Sequence, residues 1–239
     1  MDMASQAEFC REGLDMSHQT IIEAVVKSIG MICSEFRSHP TRFFTENDIV
    51  CRFYSILQED LPVRKALDKD GHQHFLVHRE YPTPFRCDMS DGKFEVKDDD
   101  ARTEGGGKYR RGHYDIVVLD PDFVGRHPHE VIRAQDYQLF KEKVASEVDT
   151  YGPPIVYGLE FMYRRDPLRY SRGTDREKGI EIFKSSVEQD ADKLLVSRDR
   201  GFMDQIGMLT FVKGSPEKIC SVLRDKLLRR DEVVLCFAD

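Results

Sequence analysis

Two acids are embedded in apolar sequence. Asp115 opens "DIVVLD", and Glu160 lies inside "IVYGLEFMYRR", residues 155–165. A carboxylate on a buried strand is costly unless it is paired, hydrogen-bonded or coordinated to a cation. If the strands are neighbours, both acids can face one shared site. Two carboxylates, waters and a substrate phosphate make an ordinary Mg²⁺ arrangement. The plainer alternative has Asp115 capping a turn and Glu160 paired with Arg164 or Arg165. Met162 and Arg164 share a strand face with Glu160, and Arg164 lies about 6.6 Å beyond Met162 at about 3.3 Å per residue.

Other residues could contribute chemistry around this pair. Glu80 in "HREYPT" ends a strand and could reach a cation or simply face solvent. His127 and His129 in "GRHPHE" make a poor metal pair without a third ligand. Asp98, Asp99 and Asp100 read as a solvated loop, because consecutive side chains do not easily face one ion. Arg164, Arg165, Arg169 and Arg172 in "YRRDPLRYSRGTDR" could hold a nucleic-acid backbone, since guanidinium suits phosphate. Interspersed acids make a salt-bridged surface loop an equal alternative. Phe43, Phe44 and Phe53 read as core.

The elements that must position these residues follow from periodicity. Apolar residues from Ile22 to Phe36 recur at helical spacing after a candidate cap at Ser17. Thr45, with Asp48 three residues on, is a capping box opening a helix that closes before Pro62. "HQHFLVHREYPTPF" reads as a strand ended by Pro82 and Pro84, with "KFEV" a short strand after it. Strands are expected at 113–119, 155–163, 205–213 and 232–237. Helices are expected over 130–149, 176–196 and 215–230, the last capped by Ser215. The predicted fold is α/β, a mixed sheet with helices on both faces. It forms one domain over 1–239, with a helical extension at about 1–44.

The order of these pieces resembles the PD-(D/E)XK nuclease superfamily. The likeness rests on "TENDIVCRFYSIL", "RRGHYDIVVLD", "YGLEFMY" and "VEQDADKLL", and it covers roughly residues 45–237. It implies a restriction-endonuclease-like fold and Mg²⁺- or Mn²⁺-dependent hydrolysis of phosphodiester bonds in DNA or RNA. Glu46 then falls on the first helix, Asp115 is the strand aspartate, and Glu160 is the acid of the last motif. Tyr114 replaces the family's proline before the aspartate. Met162 replaces its lysine, and a thioether carries neither charge nor proton. Losing such a group typically costs about 10²–10⁴-fold in rate.

Some superfamily members draw the lysine from the following helix. There Lys184 and Asp190 flank the apolar stripe at about 60°, and Lys193 lies about 120° from its centre at about 100° per residue. Lys184 is the better geometric candidate, and Lys193 better matches the family-like "DADKL". A solvated helix face is the plain alternative for both. Two functional readings follow: a metal-dependent nuclease, or a nuclease-like fold that has lost cleavage and binds nucleic acid or protein as a regulatory module.

Composition bounds both readings. The 239 residues carry a net charge of −7, which argues against non-specific coating of nucleic acid. No apolar run has the roughly 20 residues of a membrane helix, and the N-terminus lacks a secretory pattern. Six scattered cysteines form no CxxC pair and read as reduced thiols, so a cytoplasmic location is expected. The oligomeric state is left open, a homodimer included.

Overall fold

The computed structural model describes residues 18–61, 63–88, 94–97, 110–134, 136–164, 174–213 and 233–238. Ser17, Pro62, the Asp98–Asp100 run, the helix expected over 215–230, and Arg165, Arg169 and Arg172 lie outside the described residues.

Helix α1 (His18–Ser38) and helix α2 (Glu46–Asp60) come first, joined through a short 3₁₀ turn at Pro40–Arg42. The capping box forms as expected: Thr45 Oγ1 accepts from the Asp48 N–H, and the Asp48 carboxylate accepts from the Thr45 N–H. A two-stranded ribbon, β1 (Lys65–Leu67) and β2 (Gln73–Phe75), leads into the main sheet.

That sheet comprises β3 (Val77–Asp88), β4 (Glu95–Lys97), β5 (Arg110–Leu119), β6 (Ile155–Arg164), β7 (Met203–Lys213) and β8 (Val233–Ala238). Its spatial order is β4-β3-β5-β6-β7-β8. Pairing is antiparallel up to β6 and parallel from β6 to β8, so the sheet is mixed. Between β5 and β6 lie α3 (Pro121–Arg126), α4 (His129–Ile132) and α5 (Tyr137–Tyr151). Helix α6 (Thr174–Asp199) joins β6 to β7.

Alternation along β6 assigns the two faces. Its odd residues meet α1 and α2: Phe161 packs on Phe53 at 5.2 Å, and Tyr163 packs on Phe36 at 6.2 Å. Its even residues meet α6. A Cβ on Gly158 would collide with the Met203 side chain of β7 and only touch Leu194 of α6, at 3.6 Å. This glycine therefore makes room for Met203 between β6 and α6. Helices cover both faces, as expected. Phe183, Val187, Ala191 and Leu194 of the α6 stripe are buried.

Two expectations are corrected. First, β3 does not end at Pro82 and Pro84 but continues through them to Asp88. It pairs irregularly with β5 between Pro82 and Arg86, and β4 joins only at Arg86–Asp88, so the missing proline N–H groups disrupt no regular ladder there. Second, the helix expected over 130–149 is broken. Ala134 adopts φ 47°, and Asp136 caps a new helix through the Gln138 and Leu139 N–H groups. Helix α1, in the N-terminal extension, packs on the sheet. Phe36 packs 5.1 Å from Phe211 of β7, and the Cys236 thiol of β8 donates to the Cys33 carbonyl. Phe43 and Phe53 are core, as expected, but Phe44 is exposed.

Candidate active site

The site is built where β5 and β6 separate. Their regular pairing runs from Val118 to Ile116, with Ile116 opposite Leu159, and the register shifts between Val118 and Leu119. Carried one step on, this register sets Asp115 against Glu160 on the α6 face of adjacent antiparallel strands, and the charge of Asp115 is felt at Glu160. Beyond that point β6 presents N–H groups without a strand partner. Asp115 Oδ2 takes the Phe161 N–H at 2.7 Å, and Glu46 Oε2 takes the Tyr163 N–H at 3.0 Å. The fork thus lets an acid from α2, on the opposite face, approach acids on the α6 face. Glu46 is the first residue of α2, where the helix dipole favours a carboxylate.

Lys193 of α6 completes the group. Its ammonium is 2.7 Å from Glu160 Oε1 and 3.1 Å from Asp190 Oδ1, and it donates to the His113 carbonyl at 3.0 Å. Glu160 is only 3% exposed and Lys193 only 5%. The ammonium is thus in direct ion-pair contact with the buried Glu160 Oε1. One turn further along α6, the Ser197 hydroxyl donates to the Lys193 carbonyl at 2.7 Å and meets Tyr114 OH at 2.5 Å. Helix and β5 are thereby fastened at the site.

The electrostatics are those of crowded carboxylates. Burial raises the pKa of Glu160 well above the ordinary value; Lys193 opposes this, and Asp115 and Asp190 add to it. Burial likewise raises Asp115, against the Phe161 N–H and Lys193. Glu46 is raised to about 7, chiefly by burial, with the Tyr163 N–H opposing and Asp115, Asp190 and Glu80 reinforcing. Burial works against the Lys193 ammonium, but Glu160 and Asp190 outweigh it and hold its pKa above the ordinary lysine value. Lys193 is therefore a cation throughout the physiological range.

Glu80 stands between the pairs Arg79–Ile116 and Tyr81–Tyr114, opposite Asp115 in register. Its φ is 52°, a left-handed conformation that strains a side-chain-bearing residue. It is exposed, yet its charge is felt at both Asp115 and Glu46.

The remaining sequence candidates lie elsewhere. Lys184 pairs with Glu181 at 3.4 Å and is about 13 Å along the helix from Lys193 at about 1.5 Å per residue. Lys193, not Lys184, is the lysine brought to the acids. The apolar stripe misled because it marks only the centre of the buried face. The flank carrying Asp190, Lys193 and Ser197 is covered by His113 and Tyr114 of β5. Arg164 is not the partner of Glu160; it donates to the Gly179 carbonyl and lies 5.1 Å over Phe183, bracing α6. His127 bonds Glu147 at 3.0 Å and His129 meets Arg133 at 3.2 Å, so they form no pair. Asp190 is the member that sequence reasoning left out of the site, although its spacing three residues before Lys193 is an ion-pair signal.

Among the described residues no cluster of three or more His, Cys, Asp or Glu side chains is arranged to hold a metal ion. Nor is any described helix long and apolar enough to cross a membrane. The chain matches no protein-family model, no curated protein and no solved structure.

Proposed function

We propose that this chain is a metal-dependent phosphodiesterase of nuclease type, with a restriction-endonuclease-like arrangement of its sheet and helices. One observation carries the reading: Lys193 brings a buried ammonium to Glu160, on the β6 face where Met162 stands in place of the family's lysine. A helix-borne lysine thus supplies the charge that Met162 does not, since Arg164 on the same face is turned to Gly179 and Phe183. This favours the enzyme over a fold that has lost its chemistry.

Asp115 and Glu160 would hold Mg²⁺ or Mn²⁺, with waters and a substrate phosphate supplying the remaining oxygens. Carboxylates raised in pKa by burial and mutual repulsion gain most from a cation between them. When bound, the ion would lower the pKa of a water and offset charge on the phosphate. Lys193 would offer its remaining donor capacity to charge developing on the phosphate oxygens. Glu46, titrating near neutral pH at the fork, is placed to accept a proton. Asp190 would keep Lys193 aimed at Glu160.

The test is cleavage of single- and double-stranded DNA and RNA with Mg²⁺ or Mn²⁺. Wild type should cleave. Lys193→Ala should lose about 10²–10⁴-fold, and Lys184→Ala should lose little. Met162→Lys should restore part of the activity of Lys193→Ala, because it returns a cation to the same strand face. No cleavage by any variant, with no calorimetric signal for either ion, would refute the proposal.

A further inference from the structure

Beside the acids, at the open edge of β3, the surface changes character. Strand β4 pairs with β3 only at Arg86–Asp88, so the stretch Val77–Pro82 has no outer strand among the described residues. Two adjoining cavities follow this edge, of about 550 Å³ and about 500 Å³. They share Phe75, His78 and Arg79 as walls. The larger is closed by α4 and reaches Glu80, which stands opposite Asp115 in register. The smaller runs against α2.

The lining is cationic and aromatic in a chain whose net charge is −7. Arg79 lies between the cavities; it donates to Asn47 and to Cys51 Sγ, its buried Nε has no partner, and no described carboxylate pairs with it. Among the described residues Arg133 meets His129 Nε2, at 3.2 Å, so that imidazole nitrogen accepts, and no described carboxylate pairs with the guanidinium. Glu80 is the one carboxylate among the described lining residues. Phe75, between the cavities, is 48% exposed, with the Lys65 ammonium 4.6 Å from its ring centre. The groove is also built rather than incidental. Asp68, itself buried, accepts from His74 at 2.9 Å, and the His74 ring packs 5.2 Å from His129.

We infer that this groove binds a single strand of nucleic acid and leads it past Glu80 to the acids. Guanidinium groups without carboxylate partners suit backbone phosphates, and an exposed ring between two nucleotide-sized cavities suits an unpaired base. A duplex has no free base face to offer the ring, so the preference is for single strands. The inference rests on the nuclease reading for its substrate class, but binding can be measured without cleavage.

The experiment is fluorescence anisotropy of labelled oligo(dT) and oligo(rU) with the full chain in EDTA, with duplex DNA and poly-glutamate as competitors. Single strands should bind and displace more strongly than either competitor. Phe75→Ala and Arg133→Glu should each weaken binding at least about fivefold. Arg133→Ala should flatten the dependence of log Kd on log salt by about 0.7. Thermal melts should show all three surface variants folded. Absent single-strand binding, unchanged binding in folded variants, or equal competition by duplex or poly-glutamate would overturn the inference. Cleavage lost with single-strand binding intact would count against the phosphodiesterase reading alone.

Discussion

Replacing Lys193 with Met tests the centre of the site without relying on activity. The substitution keeps most of the volume and removes the cation. Glu160 would then be left 3% exposed, with Asp115 opposite it and Asp190 nearby. Breaking a buried pair by removing one partner costs about 3–5 kcal/mol. At about 2–4 °C per kcal/mol for a chain of this size, the melting temperature should fall by roughly 10 °C at pH 8. The loss should shrink on acidification by up to about 1.4 kcal/mol per pH unit, because Glu160 escapes by taking a proton. The decisive comparison adds Glu160→Met. The double variant should regain most of the stability, because two well-packed apolar side chains replace two charges. Urea or thermal unfolding of the four proteins at pH 8 and pH 5 measures the cycle. A cost below about 1 kcal/mol for Lys193→Met, as at an exposed pair, would refute the buried ion pair. So would a double variant no more stable than the single one.

Two further outcomes follow. Glu46 carries a folded pKa of about 7 against an ordinary 4.5, so the native state binds the extra proton, and stability should fall as pH rises through this interval. Solvent screening of this partly exposed group limits the effect to about 1 kcal/mol; Glu46→Gln should remove it in pH-dependent urea melts, and an unchanged profile would count against the assignment. Glu80→Gly should stabilise the fold by about 1 kcal/mol by relieving its φ of 52°. The same change should lower the pKa of Glu46, read by carboxyl NMR titration, and a destabilised variant would refute the strain assigned to Glu80.

Local sequence determined much of this protein. The Thr45–Asp48 capping box begins a helix whatever lies beyond it, because its hydrogen bonds close within one turn. The parity of Asp115 and Glu160 within apolar strands was enough to put them on one face once the strands paired, because side chains alternate with a period of two. The apolar stripe of α6 announced which side meets the sheet. Tertiary structure decided the rest. Lys193 is about 120° from the stripe's centre, and nothing local says that β5 will cover that flank. Its burial depends on Tyr114 meeting Ser197 across more than eighty residues of chain and on the His113 carbonyl taking the ammonium. Pro82 and Pro84 read as an end because a proline cannot donate to a ladder. They are accommodated because the pairing around them is irregular and the neighbouring strand joins only later. The groove beside Glu80 is assembled from α2, β2, β3 and α4, whose side chains meet only because long-range packing brings them there. Periodicity reports which face of an element is buried; it carries no information about which neighbour does the burying.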